Sequence, residues 1–359
     1  MIDKVLARQV IESVGSSGTP PETGVSHFSV GLDPYLNAIR DEYLKTFIKG
    51  GGSAFKLVVG PFGGGKTHFL YSVRDMAWSE NFAVAYVSLT PNETPFHSLN
   101  LVYRSLAAQI STGPDVKGIE EVIREAKPWS GTLEATKFAQ AVRGAQSAEN
   151  ESQFEEHLQV LKGETLDKAD APRMIRSMIQ WVRQIGRSGL VILFDEAELV
   201  PSFSRKQKEI LINNLRELID RCCQSSFRGA MVFYAIPDEK TLEGRGTAYE
   251  ALKQRLATVF DVPNPTGIKI YLERIAQDPV GFLTEVGTRL SDVFETAYAA
   301  KLDKTKLVPA LKALAKQCYE KRFADISYKR LFVQSAVALM NQVRASKDYA
   351  IDRLHHSSS

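Results

Sequence analysis

The chain has 359 residues, enough for two or three folded units at roughly 150 residues each. Its composition, 44% hydrophobic and 24% charged, excludes the disordered, fibrous and membrane classes. A formal net charge of +3 points to no particular partner, and three cysteines, two of them adjacent (Cys222 and Cys223), make neither a disulfide framework nor a paired metal site. A reducing, cytoplasmic compartment is expected.

The first turns, around Val5, Leu6, Val10, Ile11 and Val14, have helical spacing. They carry acids and lack the continuous apolar run of a secretory signal. No stretch approaches the ~18–20 apolar residues of a membrane helix, so no membrane partner is expected. A breaker-rich connector follows over Gly15–Gly24, then an amphipathic helix through Leu36, Ile39, Tyr43 and Phe47 that stops at Gly50–Gly52. Ala54–Val59, Phe82–Leu89, Leu190–Phe194 and Gly229–Ile236 are near-continuous apolar runs, the pattern of parallel strands covered on both faces. Between the second and third, helical segments at His97–Ile110, Glu120–Lys127, Phe154–Leu161 and Arg173–Ile185 predict a helical insertion, because one strand-to-helix connection rarely runs so long. Asp261–Gly267 reads as a linker, and residues 268–350 show helical patterns and no strand. The expected layout is an N-terminal helix and connector (1–26), an α/β core (27–263) with an insertion at about 112–186, a helical lid (264–350) and a disordered tail (351–359).

Charge is unevenly spread. Residues 301–350 hold 11 Lys/Arg against 4 Asp/Glu, and residues 117–170 hold 7 against 11. Two solvated faces of opposite sign account for this; the functional alternative is a basic surface meeting nucleic acid or an acidic partner.

Gly60-Pro61-Phe62-Gly63-Gly64-Gly65-Lys66-Thr67 satisfies G-x-x-x-x-G-K-[ST], after a strand and before a helix carrying Phe69, Leu70 and Val73. Glycines let successive backbone N–H groups face an anion, and the helix N-terminus adds its dipole. Lys66 can reach the β- and γ-phosphates, and the Thr67 hydroxyl can ligate Mg²⁺. The third apolar run ends in Asp195 and Glu196, costly inside a core unless they face a cation or water. Asp195 is the expected metal acid and Glu196 the group that polarises the attacking water. The spacing is compatible with a strand neighbouring the loop strand. Glu198 is expected to serve only a salt bridge. The acidic pair argues for hydrolysis, and the absence of N-K-x-D disfavours GTP, leaving ATP. The histidines, including His27, His68, His97 and His157, lack metal-ligand spacing, and Trp78, Trp129 and Trp181 read as packing residues.

His27-Phe28-Ser29-Val30-Gly31 resembles the segment that packs on adenine in initiator-type AAA+ ATPases. Ala7-Arg8, Ile11-Glu12, Gly18-Thr19-Pro20, Gly60–Leu70, Tyr103–Leu106, Ser188–Glu198, Asn214–Leu218 and Tyr249–Leu256 look like the ATP-binding domain shared by the P-loop ATPases (BrxC/BrxD) of BREX phage-defence systems. The likeness spans residues 5–340, and the length is near that of the shorter of the two ATPases. It implies an AAA+-like P-loop fold with a helical lid, Mg-ATP hydrolysis, other defence proteins as partners, and action on DNA. The cofactor set it implies is Val30, Gly31, Gly60, Pro61, Phe62, Gly63, Gly64, Gly65, Lys66, Thr67, His68 and Arg330, with Thr67 and Asp195 on the metal.

Two features depart from that pattern. Tyr234-Ala235-Ile236-Pro237-Asp238 stands where a small polar sensor is usual, leaving Tyr234 or Asp238 to substitute, and Leu32 stands where many initiator-type relatives carry arginine. A hydrolase needs one more cation at the γ-phosphate. Arg245, on Glu243-Gly244-Arg245-Gly246, and Arg255, which the resemblance covers, are the candidate fingers, in cis or toward another subunit of a homo-oligomer. In Ile326–Phe332, Arg330 is the lid sensor candidate and Lys329 its rival. No helix-turn-helix is evident, so any DNA contact is expected to be of the backbone type. The alternative to a hydrolase is a nucleotide-gated adaptor that binds ATP, turns over little and recruits a partner.

Overall fold

A computed structural model describes residues 2–197, 203–224, 226–275, 277–322 and 327–347. Glu198 and the expected tail at 351–359 lie outside the described residues. The chain divides into two units. One comprises residues 35–59 and 73–271; the other comprises 1–34, 60–72 and 272–359.

The first unit is mixed α/β. Its sheet contains β1 (Ser53–Val59), β2 (Ala83–Ser88), β3 (Ile110–Gly113), β4 (Val116–Lys117), β5 (Leu190–Asp195), β6 (Ala230–Ile236) and β7 (Lys269–Tyr271), in the order β4-β3-β2-β5-β6-β1-β7. Strands β2, β5, β6, β1 and β7 are parallel; β3 and β4 add an antiparallel hairpin beside β2. Leu57, Ile192, Val232 and Tyr234 on one face, and Val58, Leu193 and Phe233 on the other, are buried. That two-sided burial is why these strands read as continuous apolar runs rather than alternating ones.

Two expectations are corrected here. Strand β5 does not neighbour β1, because β6 lies between them and pairs with both. Residues 268–350 do contain a strand, β7, whose three residues at the sheet edge are too few to show a period.

Helices α1 (Lys4–Ser17), α2 (Asp33–Ala38, continued as a π-helix over Ile39–Ile48) and α3 (Lys66–Ser79) come first in the chain. Then follow α4 (Leu99–Gln109), α5 (Ile119–Glu125), α6 (Thr136–Gln146), α7 (Glu151–Lys162), α8 (Ala171–Gln184), α9 (Arg205–Cys223) and α10 (Thr247–Arg255). Helices α5 to α8 form the helical segment between β4 and β5, with Phe138, Leu158, Met178 and Trp181 buried.

The second unit is helical: α1 packs with α11 (Pro279–Tyr298) and α13 (Tyr328–Ser346), and α12 (Lys304–Glu320) packs on both of these. Its core joins Ala7, Val10, Ile11 and Val14 to Leu290, Phe294, Leu311, Phe332 and Met340. The N-terminal helix is thus part of this unit, together with residues 60–72. No helix among the described residues is long and apolar enough to cross a membrane.

Candidate functional site

The glycine-rich loop leaves the C-terminal end of β1 and runs into α3. Gly63 and Gly65 take left-handed φ values of 63° and 99°. A Cβ on Gly63 would come 2.5 Å from that of Ser327, and one on Gly64 would come 2.8 Å from the Pro61 carbonyl oxygen. The loop therefore closes on itself and on the start of α13 only because these positions carry no side chain. Lys66 is buried, and its Nζ donates to the carbonyls of Gly60 (3.1 Å) and Pro61 (3.2 Å). Phe62 stands exposed with the Lys66 ammonium 5.4 Å from its ring centre. Thr67 is half-buried in the first turn of α3.

His68 is packed against Phe28 and Ser29. Ser29 Oγ donates to the Val25 carbonyl at 2.8 Å, so its contact with His68 Nε2 at 2.6 Å is one it accepts. The Phe28 ring meets the imidazole edge-on at 5.0 Å. Burial and the nearby Lys329 ammonium push the His68 pKa down to about 4, so the ring is a neutral Nε2–H donor. Val30 is buried in the helical core, and Gly31 turns with φ 70°. Arg289 holds this segment by donating to the Ser29 carbonyl.

At the start of α13, Ser327 Oγ donates to the Gly63 carbonyl at 3.1 Å, and Lys329 Nζ donates to the Gly64 carbonyl at 3.0 Å. Burial lowers the Lys329 pKa, with Glu273 opposing. Arg330 is exposed, its stem against Gly18. Of the two lid candidates, Lys329 is the one whose ammonium reaches the loop.

In the α/β unit, Asp195 at the end of β5 is 1% exposed. Its Oδ2 accepts from the Tyr86 hydroxyl at 2.8 Å and its Oδ1 from the Glu196 N–H at 2.9 Å. Glu196 is exposed and sits at φ 59°, a left-handed backbone that costs a non-glycine residue about 1 kcal/mol. Such strain gathers at functional positions. Tyr234, paired across from Phe194, is fully buried, and its hydroxyl has no hydrogen-bond partner among the described residues. Tyr234 and Glu196 line the same small cavity of about 10 Å³, the order of size that holds one water. Asp238 is a cap, accepting from Thr241 N–H at 3.1 Å.

The two candidate fingers differ. Arg255 is held by a two-pronged ion pair to Asp220, with Nη2 at 3.0 Å from Oδ2, and Nη1 donates to the Ala251 carbonyl at 3.0 Å. The Asp220 carboxylate raises its pKa further. Arg245 is exposed and pairs with no carboxylate among the described residues. Tyr86, Ser327 and Ser29 were not among the expected site residues. Their partners lie far off in sequence, and only Ser327, one residue before a helix, carries a local signal.

No match was found among curated proteins. A family model described as "BREX system ATP-binding protein BrxC/D" matches residues 2–163 and 149–359, which together take in nearly the whole chain. The chain therefore belongs to the BrxC/D family of BREX system ATP-binding proteins.

Proposed function

We propose that the protein is a Mg²⁺-dependent ATP hydrolase of the AAA+-like P-loop class, working with other proteins of a BREX phage-defence system. The observation that carries this is topological. The parallel strands run β7-β1-β6-β5-β2, with one strand inserted between the loop strand and the acidic strand. Both of those strands end at the same edge of the sheet: Val59 is level with Ile236, and Phe194 with Tyr234. That order supports the P-loop reading, in which the acidic strand brings a second acid to a water. Ligands of open α/β sheets bind at the carboxyl edge of the strands.

In this reading the curled backbone of residues 60–67 and the Lys66 ammonium bind the triphosphate. The hard oxygen donors Thr67 and Asp195 fit magnesium, which when bound neutralises charge on the β- and γ-phosphate oxygens. Glu196 accepts a proton from the water that attacks the γ-phosphorus, and ADP leaves. The Tyr234 hydroxyl, beside the same small cavity, orients that water. Arg245, exposed and without a carboxylate partner among the described residues, is the better-placed finger.

The test is Glu196→Gln. ATP binding should stay within about twofold of wild type while turnover falls by about 10²-fold or more, the usual worth of a general base. Unchanged turnover would refute the assignment.

One observation favours the adaptor reading: Ser327 and Lys329 on α13 bond the loop's own carbonyls, so ATP on the loop could be sensed by the lid helix without turnover. A wild-type protein that binds ATP yet fails to hydrolyse it, with or without DNA, would select that reading. Cytoplasmic location, self-assembly and backbone-type DNA contacts complete the proposal.

A further inference from the structure

The opposite edge of the sheet, where β2, β5 and β6 begin, carries a cleft that the hydrolytic reading leaves unused. Its volume is about 790 Å³, and five cations line it, Lys49, Arg176, Arg183, Arg187 and Arg228, against one carboxylate, Glu80. Two of the arginines are compensated. Arg176 pairs with Glu134 and Arg187 with Glu125, the latter at 3.1 Å. Lys49, Arg183 and Arg228 pair with no carboxylate among the described residues, so three uncompensated cations share one concavity.

The floor is built rather than incidental. Arg183, in the last turn of α8, donates Nη2 to the Lys49 carbonyl at 3.2 Å. A Cβ on Gly229 would come 2.3 Å from its Cδ and one on Gly51 3.2 Å from its Nη1, so two glycines let separate turns close on this side chain. Arg187 is steadied by Asn81 Oδ1 at 3.3 Å, and Asn81 Nδ2 in turn donates to the Gly186 carbonyl at 3.0 Å. Lys49 and Arg228 stand exposed at the rim.

Helix C-termini favour cations, which accounts for Arg183 and Lys49. It does not account for Arg187 and Arg228, which come from connecting turns. The lining contains a single aromatic ring, Phe227, and that ring is buried, so the cleft offers no platform for stacking bases. Planar guanidinium forks match phosphate oxygens two at a time. We infer that this cleft binds closely spaced phosphate groups, carried by a nucleic-acid backbone or by a free oligophosphate.

The test uses the full chain with Lys66→Ala, which removes the phosphate loop's own affinity, so the result does not depend on the hydrolytic reading. A fluorescent 20-nucleotide single strand is titrated by anisotropy, tripolyphosphate by calorimetry, and a poly-glutamate peptide serves as the acidic-protein probe. Two double variants of equal charge change are compared: Lys49→Glu with Arg228→Glu at the rim, and Lys312→Glu with Lys316→Glu, exposed on α12.

The rim variant should weaken the single strand about tenfold or more and lower its salt slope by roughly 1.4, while the α12 variant changes affinity by less than about twofold. Loss of tripolyphosphate binding alone in the rim variant, with no strand binding by the parent, would assign the cleft to a free oligophosphate. Failure of both phosphate probes to bind, equal losses in the two variants, or an unaffected rim variant would overturn the inference. So would tighter binding of poly-glutamate than of the strand.

Discussion

His68 shows how a single ring position next to the loop is fixed by its neighbours in the fold. Its imidazole donates to Ser29 and is kept neutral by burial and by Lys329, with a pKa down at about 4. In the unfolded chain a histidine titrates near 6.5. Between those values the unfolded state binds the extra proton, so stability is complete above pH 6.5 and is lost as the pH falls toward 4. At pH 5 the loss attributable to His68 is about 2 kcal/mol. His68→Gln keeps an amide donor for Ser29 without a titrating group, so its urea midpoint should fall less than that of wild type between pH 7.5 and pH 5. Parallel pH dependences would show that the ring is not held neutral. The same scale separates what was legible in the residues from what was not. Gly60–Thr67 and Asp195-Glu196 could be read because their chemistry is local and ordered along the chain. The Tyr86 hydroxyl on Asp195 and the serine on His68 could not, because each pairs residues brought together only by folding.

At the level of elements, the four longest strands were visible as apolar runs, whereas β3, β4 and β7 were not. Ile110–Gly113 and Val116–Lys117 form a short hairpin whose polar residues carry no period, and Lys269–Tyr271 is a three-residue edge. Helix α6 was missed because alanine and glycine dilute its apolar stripe, Phe138 and Val142. The start of α13 shows the finer limit. Adjacent Lys329 and Arg330 are equivalent in sequence, but the helix turns Lys329 onto the Gly64 carbonyl and leaves Arg330 exposed. A charge-assisted hydrogen bond is worth about 1.5 kcal/mol, roughly tenfold in affinity. Lys329→Met should therefore weaken ATP binding about tenfold and Arg330→Met by less than about twofold; the reverse order would restore Arg330 as the lid cation. The α9–α10 contact is read the same way. Arg255 and Asp220 form a partly exposed, two-pronged pair worth about 1 kcal/mol. Arg255→Ala and Asp220→Ala should lose similar stability, couple in the double variant, and leave turnover alike. A selective loss of turnover in Arg255→Ala would make it the finger despite its pairing.

For the whole molecule, the decisive feature is that neither unit is a continuous stretch of chain. The path passes from the helical unit to the α/β unit and back twice, giving residues 1–34, 60–72 and 272–359 to the first and 35–59 and 73–271 to the second. The expected layout set the lid after the linker, at 264–350. The helical core also takes in α1, because Ala7, Val10, Ile11 and Val14 are buried together with Leu290, Phe294, Phe332 and Met340. Removing residues 272–359 would expose that whole stripe of α1, at about 25 cal/mol for each Å² of apolar surface returned to water. It would also remove Ser327 and Lys329, the bonds that hold the Gly63 and Gly64 carbonyls. A chain ending at Tyr271 should accordingly keep the β-sheet signature in circular dichroism but bind a hydrophobic dye strongly and lose ATP binding. Supplying residues 272–347 as a separate chain should quench the dye signal and restore nucleotide binding. A truncated chain that stays dye-negative and binds ATP normally would show that residues 272–359 are not needed to hold the loop and α1.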